Sequence, residues 1–192
     1  MAKILHPAAA LLALSLAVMP AWAAQSDEAE ATLRAEVQQA VWPADIVALS
    51  SQYLARYPRS AWADTCVGLR ERAGDAMRAL GTRDVQLYRN AFVAVGESSA
   101  TSTEARQAAL GDQSAALRLA HMYLHGENGV ASDLNRYVGW LQYATKLGNR
   151  DASYELAVHY RRQDMPVLAS QYEARAIEMG YTPPRWLDHV RK

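Results

Sequence analysis

Cysteine is nearly absent from this 192-residue chain: Cys66 stands alone, so no disulfide can close within it. Phenylalanine occurs once. An excess of charge of either sign is missing too, because 20 basic side chains balance 20 acidic ones. That balance points away from nucleic acid and from anionic membrane surfaces as partners. Beyond residue 24 no long stretch alternates apolar and polar residues, which argues against a sheet. No apolar run reaches the roughly 20 residues that a membrane-spanning helix needs.

Alanine, leucine, arginine and glutamine are abundant instead, and these residues favour helix over strand. Alanine also lets neighbouring helices approach closely, as stacked helical pairs require. The expected class is therefore all-α.

The first residues read as a targeting segment rather than fold. Lys3 supplies a positive start, an apolar run follows from Ala8 to Val18, and Pro20 breaks it. Ala21-Trp22-Ala23 then places small residues two apart, the pattern a signal peptidase reads. We expect a cleavable signal peptide over 1–23, export to the periplasm or beyond, and no stable membrane anchor after cleavage near Ala23. Cys66, amid "WADTCVGL", reads as a small buried hydrophobe on a helix.

Helical segments follow in order. Ser26 is positioned to cap the first, with acidic residues after it. Pro43 opens the second, where Ile46, Leu49, Tyr53 and Tyr57 share one face, and Pro58 closes it. Ser60 is placed to cap a third that ends at Gly81. A fourth is expected from Arg83 to Val95, with Val85, Tyr88, Phe92 and Val95 on one face. "GESSATST", residues 96–103, is small, polar and aperiodic, and reads as a loop between two halves, with Thr103 capping the next helix.

From Gly111 the sequence repeats itself. "LGDQSAALRLAHMY" aligns with "LGNRDASYELAVHY" at a constant offset of 37 residues, pairing Leu119 with Leu156, Tyr123 with Tyr160 and Gly111 with Gly148. The second helices align as well, Trp140 with Tyr172, Ala144 with Ala176 and Gly148 with Gly180. A hairpin this short cannot bury its apolar face alone, so its neighbours must stack on it. Leu119, Tyr123, Trp140 and Ala144 are the expected core. Gly126 and Gly129 are expected to reverse the chain at positive φ, Asp133 to cap the next helix, and Gly148 to end it in the left-handed conformation.

This pattern resembles the Sel-one-like repeat, a variant of the tetratricopeptide repeat. The residues at family spacing are Ala115, Leu119, Tyr123, Gly126, Gly129, Val130, Asp133, Trp140, Ala144 and Gly148. Two features depart from it: the loop "GENGV" carries one extra residue, and Tyr137 stands where the family has a small alanine, which would loosen packing there. The second unit has "RRQDMPV" in place of the glycine loop. "SSQYLARYPRSAWADTC" is similar to a phrase in tetratricopeptide proteins of bacterial envelope assembly. The resemblance implies degenerate tetratricopeptide-like hairpins over 24–95 and Sel-one-like repeats over 104–192. It implies a short right-handed solenoid of stacked antiparallel helical hairpins.

Sites of chemistry are scarce. "GENGVASD" has no lysine and follows a helix, so it is no phosphate loop, and Glu127, Asn128 and Asp133 lack calcium-loop spacing. His121 and His125 share a helical face, with His159 aligned on the next unit, but Met122 stands where a zinc-hydrolase motif has glutamate. No cofactor, metal or catalytic residue is expected. The resemblance implies an exported scaffold that binds a protein or peptide in envelope assembly, secretion or signalling. From helix phase, the expected contact positions are Arg118, His121, His125, Glu155 and Arg161. The alternative is a cell-wall-acting hydrolase, β-lactamase-like or muropeptide-acting. Cysteine-rich relatives of the repeat family suggest it, but they carry a disulfide per repeat where this chain has one cysteine.

Overall fold

The computed structural model describes residues 21–96 and 99–182. Most of the expected signal segment, and the end of the expected repeat region beyond Thr182, lie outside the described residues. Among these, the chain is all-helical: α1 (Ala21–Gln39), α2 (Pro43–Arg56), α3 (Ala63–Leu80), α4 (Arg89–Gly96), α5 (Ser99–Ala109), α6 (Gln113–His125), α7 (Leu134–Lys146), α8 (Arg150–Arg162) and α9 (Pro166–Glu178). Helices adjacent in sequence pack together, except α3 and α4, and most extensively α2 with α3, α6 with α7 and α8 with α9. No helix among the described residues is long and apolar enough to cross a membrane.

Three helix endings share one backbone geometry. At Gly111, Gly148 and Gly180 the chain turns left-handed, with φ of 86°, 101° and 87°. Each glycine N–H donates to the carbonyl three residues back, at Ala108, Thr145 and Ile177. Each following N–H reaches five residues back: Asp112 to Gln107, Asn149 to Ala144, Tyr181 to Ala176. This is the same helix ending three times, and it satisfies carbonyls that would otherwise be orphaned. Asp112, Asn149 and Asp133 then cap the helices that follow, their side chains accepting backbone N–H groups of the first turn.

The two inter-helix turns differ in sequence but end alike. After α6, Gly126 (φ 71°), Asn128 (φ 54°) and Gly129 (φ 85°) are left-handed, so the extra residue of "GENGV" is absorbed by an Asn–Gly pair. After α8 a single left-handed residue, Asp164 (φ 56°), does the work. Both turns close onto the equivalent tyrosine: Asp133 N–H donates to the Tyr123 carbonyl and Met165 N–H to that of Tyr160.

One apolar core runs through the described chain from Leu33 to Leu156. Leu119, Tyr123, Trp140, Ala144 and Leu156 are buried as expected, and Tyr160 is half-buried with its ring stacked on Tyr172. The single phenylalanine is the hub. Phe92 meets Trp42 at 5.2 Å, Trp140 at 4.7 Å and Tyr143 at 5.9 Å between ring centroids, and so joins the N-terminal helices to the repeats. Cys66 is buried, its thiol donating to the Ser50 carbonyl, and burial pushes that thiol's pKa up.

Several local expectations are corrected. Ser26 lies inside α1 rather than capping it, because the helix begins at Ala21. The loop expected over 96–103 is mostly helix: α5 begins at Ser99, so Thr103 is no cap. Buried Thr101 donates its hydroxyl to the Val95 carbonyl, which ties the start of α5 to the end of α4. The fourth helix begins at Arg89, not Arg83, and Tyr88 is 71% exposed rather than on its apolar face. Tyr137 does not loosen the packing: it is buried, its hydroxyl donating to Glu155 at 3.2 Å.

Candidate functional site

Between α3 and α4, Arg83 and Asp84 form a turn closed by Val85 N–H donating to the Thr82 carbonyl, and residues 85–88 follow without turn or helix. Val85 and Leu87 turn inward and Gln86 and Tyr88 outward, the period-two pattern of extended chain. The segment lies on α7. Gln86 N–H donates to the Gln142 side-chain oxygen at 2.9 Å. Gly139 makes the approach possible, since a Cβ there would sit 2.8 Å from the Gln86 carbonyl oxygen and 3.2 Å from Leu87.

That contact builds one side of a hollow of about 270 Å³ lined by Arg83, Asp84, Gln86, Gln142, Tyr160, Leu168, Gln171, Tyr172 and Arg175. It collects side chains from the extended segment and from α7, α8 and α9. Its floor is fixed by hydrogen bonds: buried Gln142 uses its oxygen on Gln86, and its amide donates to the Tyr160 hydroxyl at 3.1 Å. Tyr160 and Tyr172 stack at 5.4 Å with 17° between planes. Burial, with Tyr160 and Asp84 nearby, pushes the Tyr172 phenol up to about 12, so it stays a donor at neutral pH.

Charge in the hollow is uneven. Asp84 accepts from Lys146 at 2.5 Å, and this bond together with nearby Arg175 holds its carboxyl below the usual range. Arg83 and Arg175 have no ion-pair or hydrogen-bond partner among the described residues. A second hollow of about 520 Å³, beside Tyr88, Asn90, Arg136 and His159, shares Gln86 with it. A third of about 540 Å³, beside Lys146, Ala174 and Glu178, shares Gln171 and Arg175. These three neighbouring hollows lie beside α7 and α9 and make up the candidate groove.

The contact positions expected from sequence lie outside this groove; Arg161 and Glu155 line other hollows, and four of the five also make contacts between helices. His121 Nε2 is 2.9 Å from Glu155, which bridges α6 to α8 and also takes the Tyr137 hydroxyl. Arg118 pairs with Glu104 of α5 at 2.7 Å, and Arg161 with Glu173 of α9 at 2.9 Å. His125 is exposed in the last turn of α6. His159 faces Tyr137 edge-on, and burial lowers its pKa. Among the described residues no cluster of His, Cys, Asp and Glu is arranged to hold a metal ion.

Sequence reading missed Arg83, Gln142, Gln171, Tyr172 and Arg175 as a site. One signal was available: Gln142 is a polar residue inside the apolar run "WLQYA" and needs buried partners. The arginines gave none, since their residues lie far apart in the chain. No family model, no curated protein and no solved structure matches this chain.

Proposed function

We propose that this chain is an exported helical-repeat scaffold that binds a protein or peptide segment in the groove beside Arg83, Tyr88 and Arg175. Its helical pairs form a short right-handed solenoid of Sel-one-like type, and the mature protein works in the periplasm, in envelope assembly, secretion or signalling. Three identical helix endings at Gly111, Gly148 and Gly180 support the repeat. The observation that carries the binding role is the groove itself: three neighbouring hollows that share lining residues, the first with a polar floor pre-formed by Gln86, Gln142 and Tyr160. Exposed Tyr88 at one end is the residue type that anchors interfaces.

The test is affinity capture from periplasmic extract with the intact protein and with a Tyr88→Ser/Gln171→Glu variant. A partner retained by the first and lost by the second supports the groove, and equal recovery by both removes it. Turnover of a chromogenic β-lactam or of muropeptides by the pure protein would assign the chain to the hydrolase class instead.

A further inference from the structure

Within that groove, and resting on the scaffold reading, we propose that the hollow between Arg83 and Arg175 receives the carboxylate side chain of an extended, acidic segment of the partner. Donors dominate its lining. Arg83 and Arg175 each offer a fork of N–H groups, which matches a carboxylate bidentately. The Tyr160 hydroxyl already accepts from Gln142, so its own proton is available to donate, and the Tyr172 phenol stays protonated. Gln171 adds an amide. The one acid present, Asp84, is already matched by Lys146. An anion entering here therefore meets two guanidiniums that no carboxylate hydrogen-bonds, with Asp84 near Arg175 but bonded to Lys146, and several neutral donors.

Size and shape narrow the ligand. About 270 Å³ holds one side chain, below the range of a drug-sized ligand site. Neighbouring hollows flank it on both sides, one sharing Gln86 and the other Gln171 and Arg175. A chain can pass along it, so an internal Asp or Glu side chain fits better than a chain end. Stacked Tyr160 and Tyr172 provide an apolar wall for the methylene stem of that side chain.

The experiment is fluorescence anisotropy with three labelled hexapeptides. The first, blocked at both ends, carries two central glutamates. The second has glutamines there. The third has those glutamines and a free C-terminal carboxylate. The wild-type protein is expected to bind the first at least tenfold more tightly than the second, with affinity falling from 50 to 500 mM salt. Arg83→Gln/Arg175→Gln should remove that preference, and neither arginine supports the fold through a partner among the described residues. Should that double variant melt early, Arg83→Lys/Arg175→Lys keeps the charge, and it should bind the glutamate peptide several-fold more weakly than wild type. Equal binding of the first two peptides overturns the proposal. So does preference for the third, or a double variant that binds as wild type does. Loss of selectivity for acidic peptides, with partner capture still dependent on Tyr88 and Gln171, would sink this inference and leave the scaffold intact.

Discussion

Gly139 offers a sharp test, because its lack of a side chain holds the extended segment on α7. Alanine at this position would gain about 1 kcal/mol of helix propensity in an unobstructed helix. Here its Cβ would lie 2.8 Å from the Gln86 carbonyl oxygen, a backbone atom with no rotamer to escape into. The segment must move by a few tenths of an ångström. Overpacking of this kind costs about 1–3 kcal/mol. Weakening of the Gln86–Gln142 hydrogen bond adds about 0.5–1.5 kcal/mol. The net expectation is a loss of about 0.5–3.5 kcal/mol, or a Tm drop of roughly 1–14 °C for a chain of this size. Gly68 in α3 is the control: a Cβ there meets nothing within 4 Å, so Gly68→Ala should raise Tm by about 1–4 °C. Calorimetric melts of the two variants are compared with wild type. Opposite signs support the placement of residues 83–88. A Gly139→Ala variant as stabilised as Gly68→Ala would refute it, and with it the wall of the proposed groove.

Other consequences rest on named contacts. Gly148 has φ of 101°, so Gly148→Val should lose about 1–2 kcal/mol in urea unfolding, whereas a control at exposed Glu71, Glu71→Ala, should be near neutral. Arg106 of α5 donates to the carbonyls of Val37 and Ala40 at 2.9 and 2.7 Å and so closes the end of α1. Arg106→Met keeps the apolar stem but orphans both carbonyls, for a loss of about 1.5–3 kcal/mol and early hydrogen exchange in α1. Glu30 accepts hydrogen bonds from Ser60 and Tyr53, which lower its pKa from 4.5. Since the folded value is the lower one, this stabilisation is complete above the unfolded pKa and is lost as pH falls through the folded one. The stability gap between wild type and Glu30→Gln should therefore hold at pH 6–7 and close on acidification below about 4.

The repeat was legible because its signals are local. A glycine that must be left-handed, an Asp or Asn cap at the very next residue and a tyrosine at fixed spacing each act within a few residues. The expected endings at Gly126, Gly148 and Gly180 and the Asp133 cap are all present. Where the expectation failed, tertiary contacts outweighed composition. Ser99 to Thr103 lacks apolar periodicity, yet small residues let α5 pack tightly, with Thr101 and Ala105 fully buried. Residues 83–88 have helical spacing of apolar residues, but the Gln86–Gln142 bond and the bare surface at Gly139 favour extended chain from Val85 to Tyr88. The expected contact residues were chosen by helix phase, which identifies an outward face but not its partners. Arg118, His121 and Arg161 face out and also pair with Glu104, Glu155 and Glu173, which helix phase does not foretell. The groove needed Arg83 and Arg175 brought together by folding, and no local pattern announces that.

The most direct measurement of the central claim is photo-crosslinking in living cells. A photoreactive amino acid is placed at Gln171, in the groove, and separately at Glu71, an exposed position on α3. The scaffold account predicts one discrete adduct from position 171, none from 71, and loss of that adduct when Tyr88→Ser is added. Adduct formation at 71 and not at 171 would contradict it.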